Sequence, residues 1–423
     1  MHRQISRRSI RVRALGAALF FMGCTGLAGA QASAGLSPLR QAFETAWARQ
    51  PEAATLQLRR DAAAAQGRSA QAWTPDAPAL ELSQRSDRWH DNQGVRELEA
   101  GVSVPLWLPG ERDRSGALAD AGARAVESRT DAARLRVAEA LREAHWAWQR
   151  STVDAELARD QQAAARRLAD DVARRLKAGD LARSDQHQAE GAVAAADAAL
   201  AQAMAARTLA EQRWRAVVGP AFVAPLPDDA VPAMEPEPAA STAPSTEAHP
   251  ALRDLRDRAA VADRAAALSA LRTRANPELL LATTRERDGR GEPTLRTLTL
   301  GIRIPFGAGD RQAAVAATAR AEATELDVER ALAADRLAGE ADAARAQVEA
   351  AKVQLAAAER RAQLAAESRG FFDRSFRLGE TDLPTRLRIE AEAVEAQRQA
   401  ARSRIDLAAA ISHWRQALGL LPE

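Results

Sequence analysis

From Val95 to Leu106 the chain alternates, with Leu98, Ala100, Val102 and Val104 on one side and Glu97, Glu99, Gly101 and Ser103 on the other. Ala79 to Arg85 alternates as well, Leu80 and Leu82 opposing Glu81, Ser83 and Arg85, and the polar stretch Asp87–Gly94 joins the two. A period of two belongs to strands, so residues 79–106 predict a β-hairpin with one apolar and one polar face. The same design returns further on. Leu279, Leu280 and Leu281 lead to a turn at Asp288-Gly289-Arg290-Gly291, after which Leu298, Leu300, Ile302 and Ile304 oppose Thr297, Thr299, Gly301 and Arg303. Residues 279–306 predict a second hairpin.

Each hairpin is followed by a proline-free run dominated by Ala, Arg, Leu, Glu and Gln, which are good helix formers. Apolar positions recur at helical spacing, as in Val137, Leu141, Ala144 and Trp148 and again in Leu168, Val172 and Leu176, while the remaining faces are charged. A helix over 112–178 is about 100 Å long at ~1.5 Å per residue. It breaks at Gly179, and a return helix covers 184–218. The second long helix covers 310–378, breaks at Gly379 and returns over 385–418. A shorter helix opens the chain over 37–73, with Leu39, Phe43, Ala46 and Trp47 on one stripe and Pro51 interrupting it.

The landmarks keep step. Pro51/Pro250 and Pro78/Pro277 are separated by 199 positions, and Pro105/Pro305, Gly179/Gly379, Trp214/Trp414 and Gly219/Gly419 by 200. This is an internal duplication. Residues 33–219 form the first repeat and 251–423 the second, while the Pro-, Ala-, Ser- and Thr-rich stretch 220–250 is an extended linker. The fold class is mainly α with a small β part, its helices paired as long antiparallel hairpins.

Composition narrows the function. Aromatic residues make up 4% of the chain, with no tyrosine, which suits closely packed alanine-rich helices rather than several aromatic cores. A net charge of +2 from 59 basic and 57 acidic residues provides no single-sign field for nucleic acid. The first 32 residues, with Arg3, Arg7, Arg8, Arg11 and Arg13 ahead of an apolar core, read as an export signal. Cys24 is the only cysteine, and it either leaves with that signal or carries a lipid. No phosphate loop, paired-cysteine metal site or nucleophile elbow is found, and no two histidines stand at i,i+4, so neither an enzyme nor a bound metal or cofactor is expected. His145, Trp146 and Trp148 sit at helical spacing and read as seam residues.

The apolar face of the hairpins has two readings. A small soluble sheet covered by helices would show it, and so would the lipid side of an outer-membrane barrel with a polar lumen. Four strands cannot close a barrel, since the smallest has about eight, so the membrane reading requires several copies of the chain.

Taken together, these features resemble the TolC family of outer-membrane efflux proteins, over essentially the whole chain. The resemblance is carried by the duplicated order of elements and by the strand ends Gly101-Val102-Ser103-Val104-Pro105 and Gly301-Ile302-Arg303-Ile304-Pro305. It is carried also by the Gly179 and Gly379 breaks, the Trp214–Gly219 and Trp414–Gly419 ends, and the opening Leu36-Ser37-Pro38-Leu39-Arg40-Gln41-Ala42-Phe43. It implies a homotrimer whose three chains give a twelve-strand barrel in outer-membrane lipid, continued by a helical tunnel across the periplasm. It also implies docking on a periplasmic adaptor protein and an inner-membrane pump, with small molecules or metal ions as cargo and no nucleic acid. The tips around Gly179, Asp180, Leu181, Gly379, Glu380 and Leu383 would touch the adaptor. Glu81, Ser83, Glu97, Glu99, Ser103, Thr297, Thr299 and Arg303 would line the lumen. The family's entrance carboxylates correspond here to Thr385 and Arg388, with Asp382, Glu380 and, in the first repeat, Asp185 as the nearest acidic groups. The alternative is a periplasmic coiled-coil adaptor or scaffold without a barrel.

Overall fold

The computed structural model describes residues 37–220, 234–239, 248–306 and 309–423. The export signal, Cys24, Leu36 of the opening motif and most of the linker lie outside the described residues. In chain order the elements are α1 (Pro38–Ala48), α2 (Pro51–Ala70), β1 (Ala79–Ser86), β2 (Arg96–Pro105), α3 (Glu111–Ala178) and α4 (Arg183–Val218). They continue with α5 (Pro250–Leu271), β3 (Glu278–Arg287), β4 (Leu295–Arg303), α6 (Gly309–Arg377) and α7 (Leu383–Ala417).

Two helices stand where the pattern suggested one interrupted helix. Proline has no N–H to bond back into a helix, so α1 ends before it and Pro51 becomes the first residue of α2. The Ser37 hydroxyl caps α1 by accepting the Arg40 N–H at 3.2 Å. One stripe of α1 buries Leu39, Ala42 and Phe43 against Ala138 and Leu141 of α3 and Trp214 and Val218 of α4.

The helices α3 and α6, of 68 and 69 residues, each fold back on a return helix, α4 and α7. Their seams are built from small side chains, which let the helix axes come close. Ala341, Ala344, Val348 and Ala351 of α6 pack on Ala410, Ile411, Trp414 and Ala417 of α7. The short helix α5 lies between α3 and α6, whereas α2, its counterpart in the first repeat, lies against α3 and touches only α1 besides, among the described residues.

Alternation by itself predicts two separate hairpins. In the structure they merge into one antiparallel sheet of order β1-β2-β3-β4, because β2 pairs with β3 from Arg96↔Arg287 to Pro105↔Glu278. Among the described residues no helix packs on either face of this sheet. The soluble reading, a small sheet covered by helices, is therefore not what the chain forms.

The sheet is joined to the helices through Glu111, whose side chain is fully buried at the start of α3. Its carboxylate accepts the Leu108 N–H at 3.0 Å, Arg272 Nε at 2.6 Å and Asn276 Nδ2 at 2.8 Å. The end of β2, the start of α3 and the approach to β3 thus meet on one charged, hydrogen-bonded group.

Candidate functional site

The register sorts the sheet by chemistry. Leu80, Val102, Leu281 and Leu300 form one cross-strand row, and Leu82, Ala100, Thr283 and Leu298 the next. Leu298 and Leu300 are each 72% exposed and Ile302 59%, so this face is a bare apolar surface. The opposite face carries the rows Glu81, Gly101, Ala282, Thr299 and Ser83, Glu99, Thr284, Thr297. All eight expected lumen residues share this polar face: Glu81, Ser83, Glu97, Glu99, Ser103, Thr297, Thr299 and Arg303. Along β3 from Glu278 to Glu286 its positions are the more shielded ones, so that strand is less open on the polar side. The Ser83 hydroxyl donates to Glu99 at 3.5 Å, and Arg303 pairs with Glu278 at 3.2 Å.

The same face also holds Thr284 and Glu286, which sequence reasoning missed. The run Leu279-Leu280-Leu281 hides the parity of β3, and the parity becomes readable only once β3 is counted back from its pairing with β4. Glu97 stands between Arg85 and Glu286, so two carboxylates face each other across β2 and β3. Glu81, Glu97, Glu99, Glu278 and Glu286 outweigh Arg85 and Arg303, which makes this face acidic.

At the other end of the helices the two hairpins turn at left-handed glycines, Gly179 with φ +88° and Gly379 with φ +78°. The two turns are built alike. The Asp180 N–H bonds to the Arg175 carbonyl at 2.9 Å and the Glu380 N–H to the Ser375 carbonyl at 3.0 Å, a closure that needs positive φ at the residue between. Asp180 and Glu380 are exposed and Leu181 is half-buried. Leu383 corrects the expectation for it. At 1% exposure it is packed with Leu168, Val172, Ala189 and Phe376, so it lies in the seam between the hairpins and has no surface for a partner.

Phe376 is the centre of that seam. The guanidinium groups of Arg175 and Arg386 lie 4.8 and 4.7 Å from its ring centre, one from each repeat. Arg175 also donates to the Phe376 carbonyl at 3.1 Å, and Arg386 pairs with Asp373 at 2.6 Å. The expected entrance residues are brought to the same end but not into one ring within the chain. The Asp382 carboxylate caps α7 by accepting the Thr385 N–H at 3.3 Å, and its exposed carboxyl sits below the ordinary value because it is hydrogen-bonded by Thr385. Asp185 accepts the Ala182 N–H at 2.9 Å at the start of α4. Arg388 is exposed and paired with Glu392 at 2.6 Å.

Between sheet and tips, α3 is tied to α7 by charge. Asp154 receives Arg402 at 2.9 and 2.8 Å and Arg398 at 3.3 Å. Burial raises its pKa, but the bonds and fields of the two arginines outweigh this and leave it lowered. Near the sheet-side end of α7, Glu235 from the linker reaches a buried site between Arg142 and Arg415. His145 lies beside it in an aromatic cluster, its ring 4.7 Å from that of Trp146 and 5.5 Å from that of Trp214, which in turn stacks on Trp148 at 5.9 Å. Burial pushes its pKa down to about 4, against the opposing field of Glu235. Among the described residues there is no group of three or more His, Cys, Asp or Glu able to hold a metal ion, and no helix is long and apolar enough to cross a membrane.

No protein-family model matches the sequence, nor does any curated protein. Solved structures do match. The outer membrane protein VceC from Vibrio cholerae has a TM-score of 0.70 at 16% identity, over 90% of this chain and 96% of that one. CusC, described in terms of transmembrane channel formation, has a TM-score of 0.75 at 14% identity, over 90% and 92%. The MtrE outer membrane channel of Neisseria gonorrhoeae has a TM-score of 0.71 at 16% identity, over 90% and 89%. This chain has their fold. The merged sheet and the paired helical hairpins are therefore features of a known architecture rather than of this chain alone.

Proposed function

We propose that the chain is a subunit of an outer-membrane export channel, a passive conduit for small molecules or metal ions that reaches from the outer membrane into the periplasm. The observation that carries this reading is the uncovered sheet. Its leucine-rich face is bare and its acidic face is opposite, which is the pattern of a barrel wall between lipid and water. The outer edges of β1 and β4 are unpaired among the described residues, and unpaired edges call for a neighbour. β1 and β4 run in opposite directions, so β4 of one copy pairs antiparallel with β1 of the next and the sheet closes head to tail. Three copies give twelve strands, the closure that the family resemblance implies.

The helices support the same assembly. α5 is held between α3 and α6, and repeat symmetry assigns α2 an equivalent place between its own α3 and the α6 of the next copy. The Arg253–Asp131 pair of α5 and α3, at 3.0 Å, shows how the helices align. Shifted by the repeat offset, this alignment sets Leu58 of α2 beside Val328 of a neighbouring α6. All three candidates for that seam, Leu58, Val328 and Leu332, are exposed in the single chain.

The tips around Gly179 and Gly379 are the surfaces we assign to a periplasmic adaptor, with an inner-membrane pump supplying the energy. Heat-modifiable, detergent-requiring trimers in outer-membrane fractions, conducting in planar bilayers, are the expected result. A water-soluble monomer without conductance overturns the reading. Gly379→Pro, which cannot adopt φ +78°, is expected to abolish efflux complementation while leaving the barrel inserted. Unchanged efflux would remove the tip from the docking role.

A further inference from the structure

The apolar face of the sheet ends, towards the loops Asp87–Gly94 and Asp288–Gly291, in arginines. Arg285 of β3 lies directly opposite Arg296 of β4, and Arg96 of β2 directly opposite Arg287 of β3. All four have the parity of Leu98, Leu281 and Leu300, so they continue the bare leucine face rather than the acidic one. Like charges placed directly opposite on neighbouring strands repel and cost stability. Here it happens twice in adjacent rows, while four glutamates, Glu97, Glu99, Glu278 and Glu286, stand on the other face of the same strands. Among the described residues Arg96, Arg285 and Arg296 are exposed and have no carboxylate partner, and only Arg287 is engaged, with the Gly94 carbonyl at 3.3 and 3.4 Å.

The spacing fits a membrane boundary. From Arg296 to Phe306, which is 95% exposed just beyond β4, the chain advances ten residues. That is about 34 Å along an extended strand, and about 26 Å of height at a tilt of ~40°, against an apolar band of about 25 Å in outer-membrane barrels. When the leucines are in hydrocarbon, the paired arginines stand at the headgroup level next to the outer loops. Guanidinium groups bind phosphate through parallel charge-assisted hydrogen bonds, and one phosphate between two arginines turns a repulsive pair into an ion bridge.

We infer that Arg96, Arg285, Arg287 and Arg296 form a binding site for the phosphorylated headgroups of outer-leaflet lipid, repeated on each copy as a basic girdle. This rests on the barrel reading, but it names a ligand that the reading does not require. The test uses the full-length assembly in neutral detergent, with bound lipid counted by native mass spectrometry. The probes are lipid A and lipid A stripped of its phosphates. Lipid A is expected to bind about tenfold more tightly than the stripped form, and the variant with Arg96→Gln, Arg285→Gln and Arg296→Gln is expected to lose about that factor. A variant with Arg213→Gln, Arg320→Gln and Arg361→Gln removes equal charge from the helices and is expected to keep full binding. If the sheet variant does not assemble, salt dependence decides. Raising salt from about 0.05 to about 0.5 M weakens binding of lipid A to the wild-type assembly and leaves the stripped lipid unchanged. Conductance in phosphatidylcholine bilayers separates the two readings. Protein that conducts there but binds both probes equally overturns the girdle alone, and protein that enters no bilayer overturns the barrel and the girdle with it.

Discussion

Arg142 grips Glu235 through two parallel hydrogen bonds, Nε to Oε2 at 2.9 Å and Nη2 to Oε1 at 2.7 Å, although 93 residues separate them. Both side chains are almost fully buried, as is Arg415, whose Nε lies 3.3 Å from the same carboxylate. Ser412 donates to it at 2.6 Å. Removing Glu235 leaves the buried Arg142 without a counter-charge and Arg415 with Glu423 alone, at 3.0 Å, a change that costs about 3–5 kcal/mol. Glu235→Ala is therefore expected to lower the melting temperature clearly, and Glu235→Gln to lower it less. Calorimetry in detergent checks this, and a melting curve identical to wild type would show that the linker carboxylate is dispensable.

Leu332→Asp on α6 places a charge on the surface assigned to the neighbouring copy. It is expected to shift the assembly towards single chains while leaving the helix content unchanged. Leu58→Asp on α2 is expected to act alike, since the two residues belong to facing sides of one seam. Light scattering after chromatography reads the mass directly, and trimers of normal yield in both variants would refute the α2–α6 contact.

Phe376→Ala takes away the ring that Arg175 and Arg386 share. Truncating a buried phenylalanine typically costs about 3–5 kcal/mol, and here the loss is concentrated at the tips of the two hairpins. Amide hydrogen exchange is expected to speed up across Leu168–Ala189 and Arg369–Ile389 and to stay unchanged in the sheet. Exchange rates equal to wild type at both tips would mean that the seam is held by other contacts.

His145 gives the fold a defined response to pH. Its pKa is 6.5 in the open chain and about 4 when buried, so between these values unfolding takes up a proton. The stability it contributes is complete above pH 6.5 and is lost as pH falls towards 4. His249, also lowered by burial, acts in the same direction. Thermal midpoints measured from pH 7 to 4 should decline, and the decline should be shallower in His145→Gln. Parallel curves for the two proteins would exclude His145 as its source.

Much of this structure could be read from the residues because the chain uses simple periods. Leu298, Leu300 and Ile302 against Thr297, Thr299 and Arg303 state the two faces of β4 without any partner in view. Gly179 and Gly379 mark the tips because only a residue tolerant of positive φ closes both helices in that way. Other features depend on what distant segments bring. The pairing of β2 with β3 joins residues far apart in sequence and leaves no local signal. Leu383 sits at a helix start next to a tip glycine, and only the packing of one hairpin on the other makes it an interior residue. Asp185 and Asp382 are acidic groups near an end, and their use as helix caps emerges only from the turn geometry. Glu235 was the least legible of all. Met234-Glu235-Pro236-Glu237-Pro238 has the composition of a spacer, and nothing in it announces two buried arginines on α3 and α7.

The grip on Glu235 has a further consequence. The segment carrying it is continuous with the first repeat, yet Arg415 and Ser412 belong to the second. Cleaving the polypeptide between residues 240 and 247 would leave on the first fragment a carboxylate, already held by its own Arg142, that still pairs with Arg415 and Ser412 of the other. Two separately made pieces could then recognise each other and rejoin without a peptide bond, as complementing halves.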